Sequence, residues 1–367
     1  MILKDNLIDI SISKIKKMLI TKTIKGKEYY YIKISKNNYT YLSPKQVTNE
    51  QLKTNFCHII FKIFIDTINI LYESQNNIKT KFITKKDKVI LAYLLFSYQA
   101  SLKKFNRNDL EKYKDAFFTK YVYGTTSIEG NTYSLRETDL TLNDGLTVSG
   151  KEKREFYEIE NYSKLKEEFE NKENIEISVE LIKKIHKILL NNIDDNTKGN
   201  FRRIDVGIRG ADFQPTPYIF IDDEINKLLK WFNKNKRKIH PVELFGIFHQ
   251  KFEEIHPFID GNGRVGRELL RIMLSNAGLP TVFIDNKNRE EYLKCLDAGN
   301  KGNYKEIVRF ILNNLFTVHE ELIELSKKQL NINEEQLSSI CNKCINKDKC
   351  NKSMKKFRTI FKTSLEN

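Results

Sequence analysis

The residues best suited to carry chemistry lie in one twelve-residue segment, 256–267, which reads His-Pro-Phe-Ile-Asp-Gly-Asn-Gly-Arg-Val-Gly-Arg. His256 ends a predicted helix, and its imidazole is the group there whose pKa suits general-base work near pH 7. Asp260 supplies a hard carboxylate oxygen of the kind that binds Mg²⁺, which in turn bridges phosphates. The segment therefore pairs a candidate base with a candidate ligand for a phosphate-bound cation.

The second half of the segment has the features of an anion site. Gly261 and Gly263 flank Asn262, which lets the backbone come close to a ligand. The loop opens the next predicted helix, whose free N–H groups and dipole favour an anion. Arg264 and Arg267, three residues apart on the first turn, can grip phosphate oxygens as planar donors. Each feature alone is common in proteins of other function, but their joint arrangement is specific.

A second segment lies well upstream and reads Thr125-Thr-Ser-Ile-Glu129-Gly130-Asn131. It is typical of the end of a helix, with Gly130 and Asn131 as the stop. Thr125 and Glu129 stand at positions i and i+4, so they share a face. Taken alone, this pattern predicts no more than a helix end with an exposed glutamate.

Segment 256–267 resembles the motif of the Fic family, HPFxxGNGRxxR, at every fixed position, with the usual acidic residue at Asp260. Fic proteins are mostly protein adenylyltransferases, which transfer AMP from ATP to a Ser, Thr or Tyr hydroxyl of a target protein. The resemblance covers roughly residues 115–315. It implies a helical Fic core, with ATP as the substrate and Mg²⁺ as the metal.

The resemblance also implies a role for each motif residue. His256 would take the proton of the target hydroxyl, whose oxygen attacks the α-phosphate while pyrophosphate leaves. Asp260 would hold Mg²⁺ on the α- and β-phosphates. The remaining residues would hold the ATP phosphates: Gly261, Asn262 and Gly263 as the anion cradle, Arg264 and Arg267 at the β- and γ-phosphates.

The upstream segment resembles the family's inhibitory motif, (S/T)xxxE(G/N), in the form that lies N-terminal to the Fic core. In such proteins the glutamate pairs with the second arginine of the Fic motif, here Glu129 with Arg267, and removes a γ-phosphate ligand. The resemblance thus implies an autoinhibited enzyme with Thr125, Glu129 and Gly130 as inhibitory residues. In some relatives the same glutamate supports AMP removal, and the sequence leaves that role open.

Residues 204–221 have β-type ends around a Gly, Asp and Pro centre, which predicts a short hairpin. Gly199-Asn-Phe-Arg202 leads into it. The predicted hairpin resembles the family's flap, which binds the target segment by strand pairing. The implied partner is therefore a protein whose Ser, Thr or Tyr hydroxyl docks on this flap. Tyr292 and Asn300 lie where the family has adenine-side contacts, although core packing suits Tyr292 equally well.

Apolar residues at helical spacing predict a mainly α fold around these motifs. Ser134 and Glu137 form a predicted capping-box start, and Pro241 suits the first position of the helix that ends at His256. Residues 21–43, rich in Tyr, Ile and Thr, predict a small β unit. Predicted helices cover 86–104, 110–121, 134–145, 151–171, 178–192 and about 263–277, with a further one from about 56.

These patterns divide the chain into four predicted regions. They are a small basic β-rich extension (1–55), a helical region (56–177) with the inhibitory helix around 118–131, the Fic catalytic core (178–315) and a basic helical tail (316–367) with a cysteine cluster.

The net charge of +15 lies almost entirely at the two ends of the chain. Residues 1–55 carry +7 and residues 341–367 carry +6, so the predicted catalytic body is nearly neutral. The surplus therefore bears on the choice of partner. Lysines and tyrosines of the N-terminal region have the composition of a nucleic-acid surface, but no recognition motif supports that function.

The number of cysteines and the length of the apolar stretches indicate the cellular compartment. Five cysteines in 367 residues do not make a secreted disulfide scaffold, and the first residues lack the features of a signal peptide. The longest apolar-looking stretch, 56–72, contains charges and is too short to span a bilayer, so we expect a cytoplasmic protein with no membrane partner. Cys341, Cys344 and Cys350 could hold Zn²⁺ with a fourth ligand, but none lies nearby, and free thiols are the default expectation.

Two other functions remain as alternatives. One is Fic-type transfer of another phosphate-containing group; Gly263 argues against the kinase-like branch, which often has lysine there. The other is a nucleic-acid-binding protein with a vestigial Fic core, against which the intact His256, Asp260 and arginine pair argue. The target protein, the signal that relieves inhibition and the oligomeric state, including a homo-oligomer, are left open.

Overall fold

The computed structural model describes residues 19–33, 39–43, 78–102, 107–169, 172–208 and 213–329. The chain divides into two compact units, one comprising 1–77, 84–106 and 320–367 and the other comprising 78–83 and 107–319. Several predicted features lie outside the described residues: the helix from about 56, the tail beyond 329, and the cluster of Cys341, Cys344 and Cys350.

The described part of the first unit contains a three-stranded antiparallel sheet and one helix. The strands are β1 (Leu19–Ile24), β2 (Lys27–Lys33) and β3 (Tyr39–Ser43), in the order β1-β2-β3, and the helix is α1 (Lys85–Leu102). Lys25 and Gly26 form a two-residue turn with φ of 51° and 74°, the backbone that a tight hairpin needs. Lys22 lies over the ring of Tyr39, 3.3 Å from its centroid. The predicted basic, aromatic β unit is confirmed.

The second unit is helical, as predicted. It holds α2 (Arg107–Ser127), α3 (Leu135–Asp144), α4 (Lys153–Phe169), α5 (Val179–Leu189), α6 (Ile221–Asn235), α7 (Pro241–Ile255), α8 (Asn262–Asn276), α9 (Arg289–Asn300) and α10 (Lys305–Gln329) up to residue 319. Both bonds of the predicted capping box at Ser134 and Glu137 are present. The helix predicted to stop at 121 runs on to Ser127, which carries it up to the second motif.

Helices α7 and α8 form the centre of this unit. Helix α7 is buried on almost every side, with Phe248 and Phe252 fully enclosed. It begins at Pro241, the predicted first position, and α8 ends at Asn276, two residues before Gly278, whose φ of 70° is left-handed. The end of α7 and the start of α8 therefore meet at the loop 256–261. None of the helices in the described residues is long and apolar enough to cross a membrane.

A short strap, residues 78–83, is fastened to the start of α7 by one buried carboxylate. Glu243 accepts hydrogen bonds from the backbone N–H groups of Lys81, at 2.9 and 3.0 Å, and Phe82, at 3.0 Å. The strap also bonds to the chain before α7, because the Lys79 N–H donates to the Lys238 carbonyl at 2.9 Å. This strap keeps the first turn of α7 in place, at the opposite end of the helix from the motif.

The predicted hairpin over 204–221 is wrong for the described residues. Neither 204–208 nor 213–217 forms a strand, and Tyr218–Phe220 is a 3₁₀ turn that leads directly into α6. The reason lies in the returning arm, where Pro215 and Pro217 have no N–H to offer a ladder. The intervening amide of Thr216 donates instead to the Glu254 carbonyl of α7, at 3.4 Å.

We predict that Glu243→Ala lowers the free energy of unfolding by about 1–3 kcal/mol, because the backbone N–H groups of Lys81 and Phe82 lose their acceptor. Urea titration of the full chain measures this. Glu290→Ala is the matched control, since Glu290 is an exposed residue paired only with Lys294 and its loss should cost less than about 0.5 kcal/mol. Equal stability of the two variants would show that the strap does not hold α7.

Candidate active site

The loop between α7 and α8 is held by its own side chains. His256 ends α7 in the left-handed conformation, with φ of 51°, and Gly261 has φ of 79°. The Asn262 side chain closes the loop, because its Oδ1 accepts from the Phe258 N–H at 2.8 Å and its Nδ2 donates to the Phe258 carbonyl at 2.9 Å. Asn262 thus shapes the predicted cradle with its side chain and leaves only its backbone N–H for an anion.

The N-terminus of α8 is open to an anion. Gly261 precedes the helix, and no side chain in the described residues caps this end, so the first N–H groups lack intrahelical partners. A Cβ at Gly261 would lie 2.6 Å from Leu190, and one at Gly263 would lie 2.6 Å from Oε1 of Glu129. Gly261 has a left-handed φ that suits glycine, and at Gly263 the group that approaches most closely is the Glu129 carboxylate.

Arg267 donates hydrogen bonds both to the Glu129 carboxylate and to Thr125 near the end of α2. Its Nη2 donates to Glu129 Oε1 at 2.5 Å and to the Thr125 carbonyl at 3.0 Å, and its Nε donates to Thr125 Oγ1 at 2.7 Å. The predicted contact between Glu129 and Arg267 is present, and Thr125 shares it as the i, i+4 spacing indicated. Gly130, with φ of 101°, turns the chain away immediately afterwards.

The charges of this pair are strongly coupled. Burial by itself would raise the pKa of the Glu129 carboxyl, but Arg267 and then Arg264 more than offset burial, and the pKa lies below its ordinary value. Arg267 is 4% exposed; burial would lower its pKa, but Glu129 and nearby tyrosines raise it above the ordinary value. Both groups are therefore charged at neutral pH, and the buried guanidinium depends on an anionic partner.

A second network surrounds Asp260 and Arg264. Arg264 Nη2 lies 3.2 Å from Asp260 Oδ1, and its Nη1 lies 3.3 Å from Glu158 Oε1. From α4, Arg154 reaches the same two acids, at 2.5 Å from Asp260 Oδ2 and 3.3 Å from Glu158 Oε1. Arg154 and Glu158 were not predicted as site residues, and no local pattern marks them, because they lie about 100 positions from the motif in sequence.

Asp260 has the properties of a Mg²⁺ ligand in a site where substrate phosphates supply further ligands. Its side chain is 40% exposed; burial would raise the pKa of the carboxyl, but Arg264 and Arg154 hold that pKa below its ordinary value. Within the described residues, no three His, Cys, Asp or Glu side chains converge to hold a metal ion. One ionised carboxylate nevertheless suits Mg²⁺, which takes one or two protein carboxylates and completes its shell with phosphates and water.

His256 is enclosed beside this anion site. Burial, the largest cause, and the charge of Arg202 lower the pKa of its imidazole to about 4, against opposing effects of the Glu253 backbone, Glu129 and Asp260. Arg202 also holds the backbone here, because its Nε donates to the His256 carbonyl at 2.9 Å. The imidazole is neutral at pH 7 and can accept a proton, but a pKa of about 4 makes it a weaker base than the sequence predicted.

Arg202 connects His256 to the chain that was predicted to form the flap. Its Nη1 donates to the Ile204 carbonyl at 2.8 Å, and its Nη2 donates to the Thr216 carbonyl. The two arms of segment 204–217 are thus joined through a buried guanidinium. This arrangement takes the place of the predicted strand ladder.

The remaining residues predicted for the site lie deeper in the fold. Tyr292 is buried, and its hydroxyl lies 2.7 Å from His249 Nε2. Asn300 accepts at Oδ1 from the Gln250 side chain at 3.0 Å. In this structure both residues attach α9 to α7, and neither contact tests an adenine-side role.

Known proteins are similar to this chain over the region that contains the site. Residues 176–274 match the sequence model of the Fic/DOC family. Protein adenylyltransferase fic-1 of Caenorhabditis elegans is 33% identical over 196 residues, which cover 52% of this chain and 38% of that protein. Protein adenylyltransferase Fic of Drosophila ananassae is 34% identical over 202 residues, which cover 54% and 40%. The chain therefore spans about two fifths of the length of these curated relatives.

Solved structures are similar in fold. A Fic-domain-containing signaling protein from Bacteroides thetaiotaomicron has a TM-score of 0.57 at 23% identity, covering 64% of this chain and 96% of that chain. C. elegans Fic-1 has a TM-score of 0.54 at 24% identity, covering 76% and 87%. At these identities the likeness shows the helical fold alone.

A histidine of α5, His186, packs against the loop and gives a pH test. The Gly199 N–H donates to His186 Nδ1 at 2.8 Å, so the neutral ring carries its proton on Nε2, which lies 3.0 Å from the Asp260 carbonyl. The ring stacks on Phe258 with centroids 3.7 Å apart. Burial lowers the pKa of His186 to about 4, and protonation would place a second hydrogen against the Gly199 N–H.

We predict that the free energy of unfolding falls as the pH drops from 6.5 towards 4. Over this range His186 binds a proton in the unfolded chain but stays neutral in the native fold, where its pKa is about 4. The unfolded state therefore binds more protons, so the free energy of unfolding rises with pH. His186→Asn should reduce this slope by about 1.4 kcal/mol per pH unit, as measured by urea unfolding between pH 4.5 and 6.5. An unchanged slope would show that His186 does not titrate in this way.

Proposed function

The chain carries a Fic domain, and we propose on that premise that it is an autoinhibited protein adenylyltransferase, which transfers AMP from ATP to a hydroxyl of a target protein. Relatives named protein adenylyltransferase, 33–34% identical to this chain, support the activity. The arrangement of the 256–267 loop supports the same reaction from chemistry alone. A neutral, half-buried imidazole, an uncapped helix N-terminus and two guanidinium groups belong to this loop and the helix turn that follows it.

The residues divide the reaction between them. His256 takes the proton of the target hydroxyl, and that oxygen attacks the α-phosphorus of ATP as pyrophosphate leaves. The N–H groups at the start of α8 receive phosphate oxygens, since the dipole and the unpaired donors both favour an anion. Arg264 and Arg267 bind the β- and γ-phosphates. Catalysis of this kind rests on positioning and on charge stabilisation.

Asp260 is the residue that would hold Mg²⁺. The bound ion would supply charge neutralisation for the α- and β-phosphates. Arg154 and Arg264 pair with Asp260 here, so they keep the carboxylate ionised and oriented towards the start of α8.

The position of one carboxylate carries the proposal of autoinhibition. Glu129 Oε1 accepts a hydrogen bond from Arg267 Nη2 and lies within 2.6 Å of the position that a Cβ at Gly263 would take, beside the first turn of α8. A γ-phosphate bound to Arg267 needs the same guanidinium and the same space. Glu129 and the γ-phosphate therefore exclude each other, and ATP binds productively only after Glu129 leaves.

The target segment is proposed to dock along residues 204–217, whose two arms are joined by Arg202. An apolar docking surface, formed by Ile204, Tyr218, Ile219 and Phe220, is exposed there, and Ile219 is 63% exposed. Exposed apolar clusters of this kind mark interaction sites.

Glu129→Gly should raise labelling of protein, including self-labelling, with radiolabelled ATP by about ten- to hundredfold, the effect of removing a charged hydrogen bond. His256→Ala should abolish labelling in either background, because no base remains. Mass spectrometry of the product should show addition of AMP to Ser, Thr or Tyr.

Each possible failure has a separate meaning. Labelling by Glu129→Gly at the wild-type level, together with loss in His256→Ala, would overturn autoinhibition and leave the transferase. An adduct of another mass would replace AMP by a different phosphate-containing group. The absence of any adduct from Glu129→Gly would overturn the transferase itself.

The docking surface gives an independent prediction. Ile219→Asp, in the Glu129→Gly background, should lower labelling of lysate proteins about tenfold, because an exposed apolar contact is lost, while the affinity for ATP stays the same. Leu146→Asp is the matched control, since Leu146 is an exposed leucine outside the docking surface. An equal loss in both variants would show that Ile219 has no specific role.

A further inference from the structure

The turn that carries Glu129 is held from the opposite side by a residue outside both motifs. Arg289, the first residue of α9, donates from Nε to the carbonyl oxygen of Ile128 at 3.0 Å. That carbonyl belongs to the peptide bond that joins Ile128 to Glu129. A hydrogen bond to it fixes the plane of this peptide, and with it the direction in which the Glu129 side chain leaves the backbone.

The end of α2 needs such a donor. The last carbonyls of a helix have no intrahelical partner and attract cations. Here the Thr125 carbonyl accepts from Arg267, the Thr126 carbonyl accepts from the Asn131 N–H at 3.2 Å, and the Ile128 carbonyl accepts from Arg289. Arg289 is thus the guanidinium that completes the cap nearest to Glu129.

Packing holds the helix that carries Arg289 in place. Helix α9 is anchored in the core by Tyr292, whose hydroxyl meets His249. The chain before α9 packs on α2, where a Cβ at Gly124 would lie 2.9 Å from the Ile284 carbonyl and the rings of Phe117 and Phe283 lie 4.4 Å apart. The distance between the start of α9 and the end of α2 is therefore fixed by packing, and the Arg289 bond does not have to create it.

We propose that Arg289 is a positioning residue of the inhibitory site, which holds the Ile128–Glu129 peptide so that Glu129 stays on Arg267. The proposal rests on the proposed autoinhibition and names a residue that controls it from outside the active site. Arg289 is itself exposed at the surface, whereas Arg267 and Thr125 are buried. An acidic group of another molecule could therefore reach Arg289 and loosen the inhibitory turn without entering the ATP site.

The test compares Arg289→Ala with wild type, Glu129→Gly and the double variant, all as the full chain. Arg289→Ala should raise self-labelling about two- to tenfold, the worth of one hydrogen bond. It should add nothing in the Glu129→Gly background, because no glutamate remains to be positioned. Lys294→Ala is the matched control, since it removes an exposed cation from the same helix that is paired only with Glu290.

A binding measurement separates positioning from a general effect on the fold. In the catalytically silent His256→Ala background, Arg289→Ala should tighten ATP binding by the same two- to tenfold factor in calorimetry, because Glu129 competes less well for Arg267. Arg289→Lys should restore part of the inhibition, since its ammonium can still donate to the Ile128 carbonyl. Arg289→Met, which keeps the apolar stem, replaces Arg289→Ala if thermal unfolding shows that the shorter side chain destabilises the chain.

The outcomes are distinguishable from failure of the proposed function. Wild-type labelling and ATP affinity in Arg289→Ala, with higher labelling in Glu129→Gly, would overturn the role of Arg289 and leave autoinhibition intact. An equal rise in the presence and absence of Glu129 would also overturn it. No rise in Glu129→Gly would overturn autoinhibition itself, and the role of Arg289 with it.

Discussion

The site depends on one buried guanidinium and its need for an anion. Arg267 lies inside the helical unit and is charged, and a charge buried in this way is costly unless a partner neutralises it. The fold offers the Glu129 carboxylate from the end of α2, on the same side as the open N-terminus of α8. A phosphate could satisfy the same guanidinium, so one electrostatic requirement has two mutually exclusive solutions. In the proposed function, inhibition and ATP binding are thus alternatives for a single cation.

Other side chains of the helical unit hold the loop 256–261 in one conformation beside Arg267. Asn262 closes the loop, His186 stacks beneath it, and Arg202 ties the end of α7 to the segment on which a target would lie. The contacts of His186 and Arg202 join segments more than 50 residues apart, and buried contacts of this kind favour one arrangement of the loop. The anion chemistry therefore does not require a strongly basic protein. Local guanidinium groups and helix N–H groups supply it within a nearly neutral body.

The sequence predicted the helical fold and the capping box at Ser134, because each depends on residues close together in the chain. The hairpin over 204–221 was wrong because the β-type composition of its ends gave no information on where the amides go. The returning arm has proline at two positions and donates its Thr216 amide to α7. Arg202 then joins the two arms with its side chain, which no alternation of residues could indicate.

The sequence by itself determined which groups could do chemistry: an imidazole, a carboxylate, a glycine-flanked helix start and two arginines at fixed short spacing. Only the tertiary structure decided which groups face them. Arg154, Glu158 and Arg289 act across more than 100 positions, and packing of α2, α4 and α9 around α8 is what brings them within hydrogen-bond distance. Local spacing encodes a motif, whereas the partner of a buried charge depends on how the helices pack.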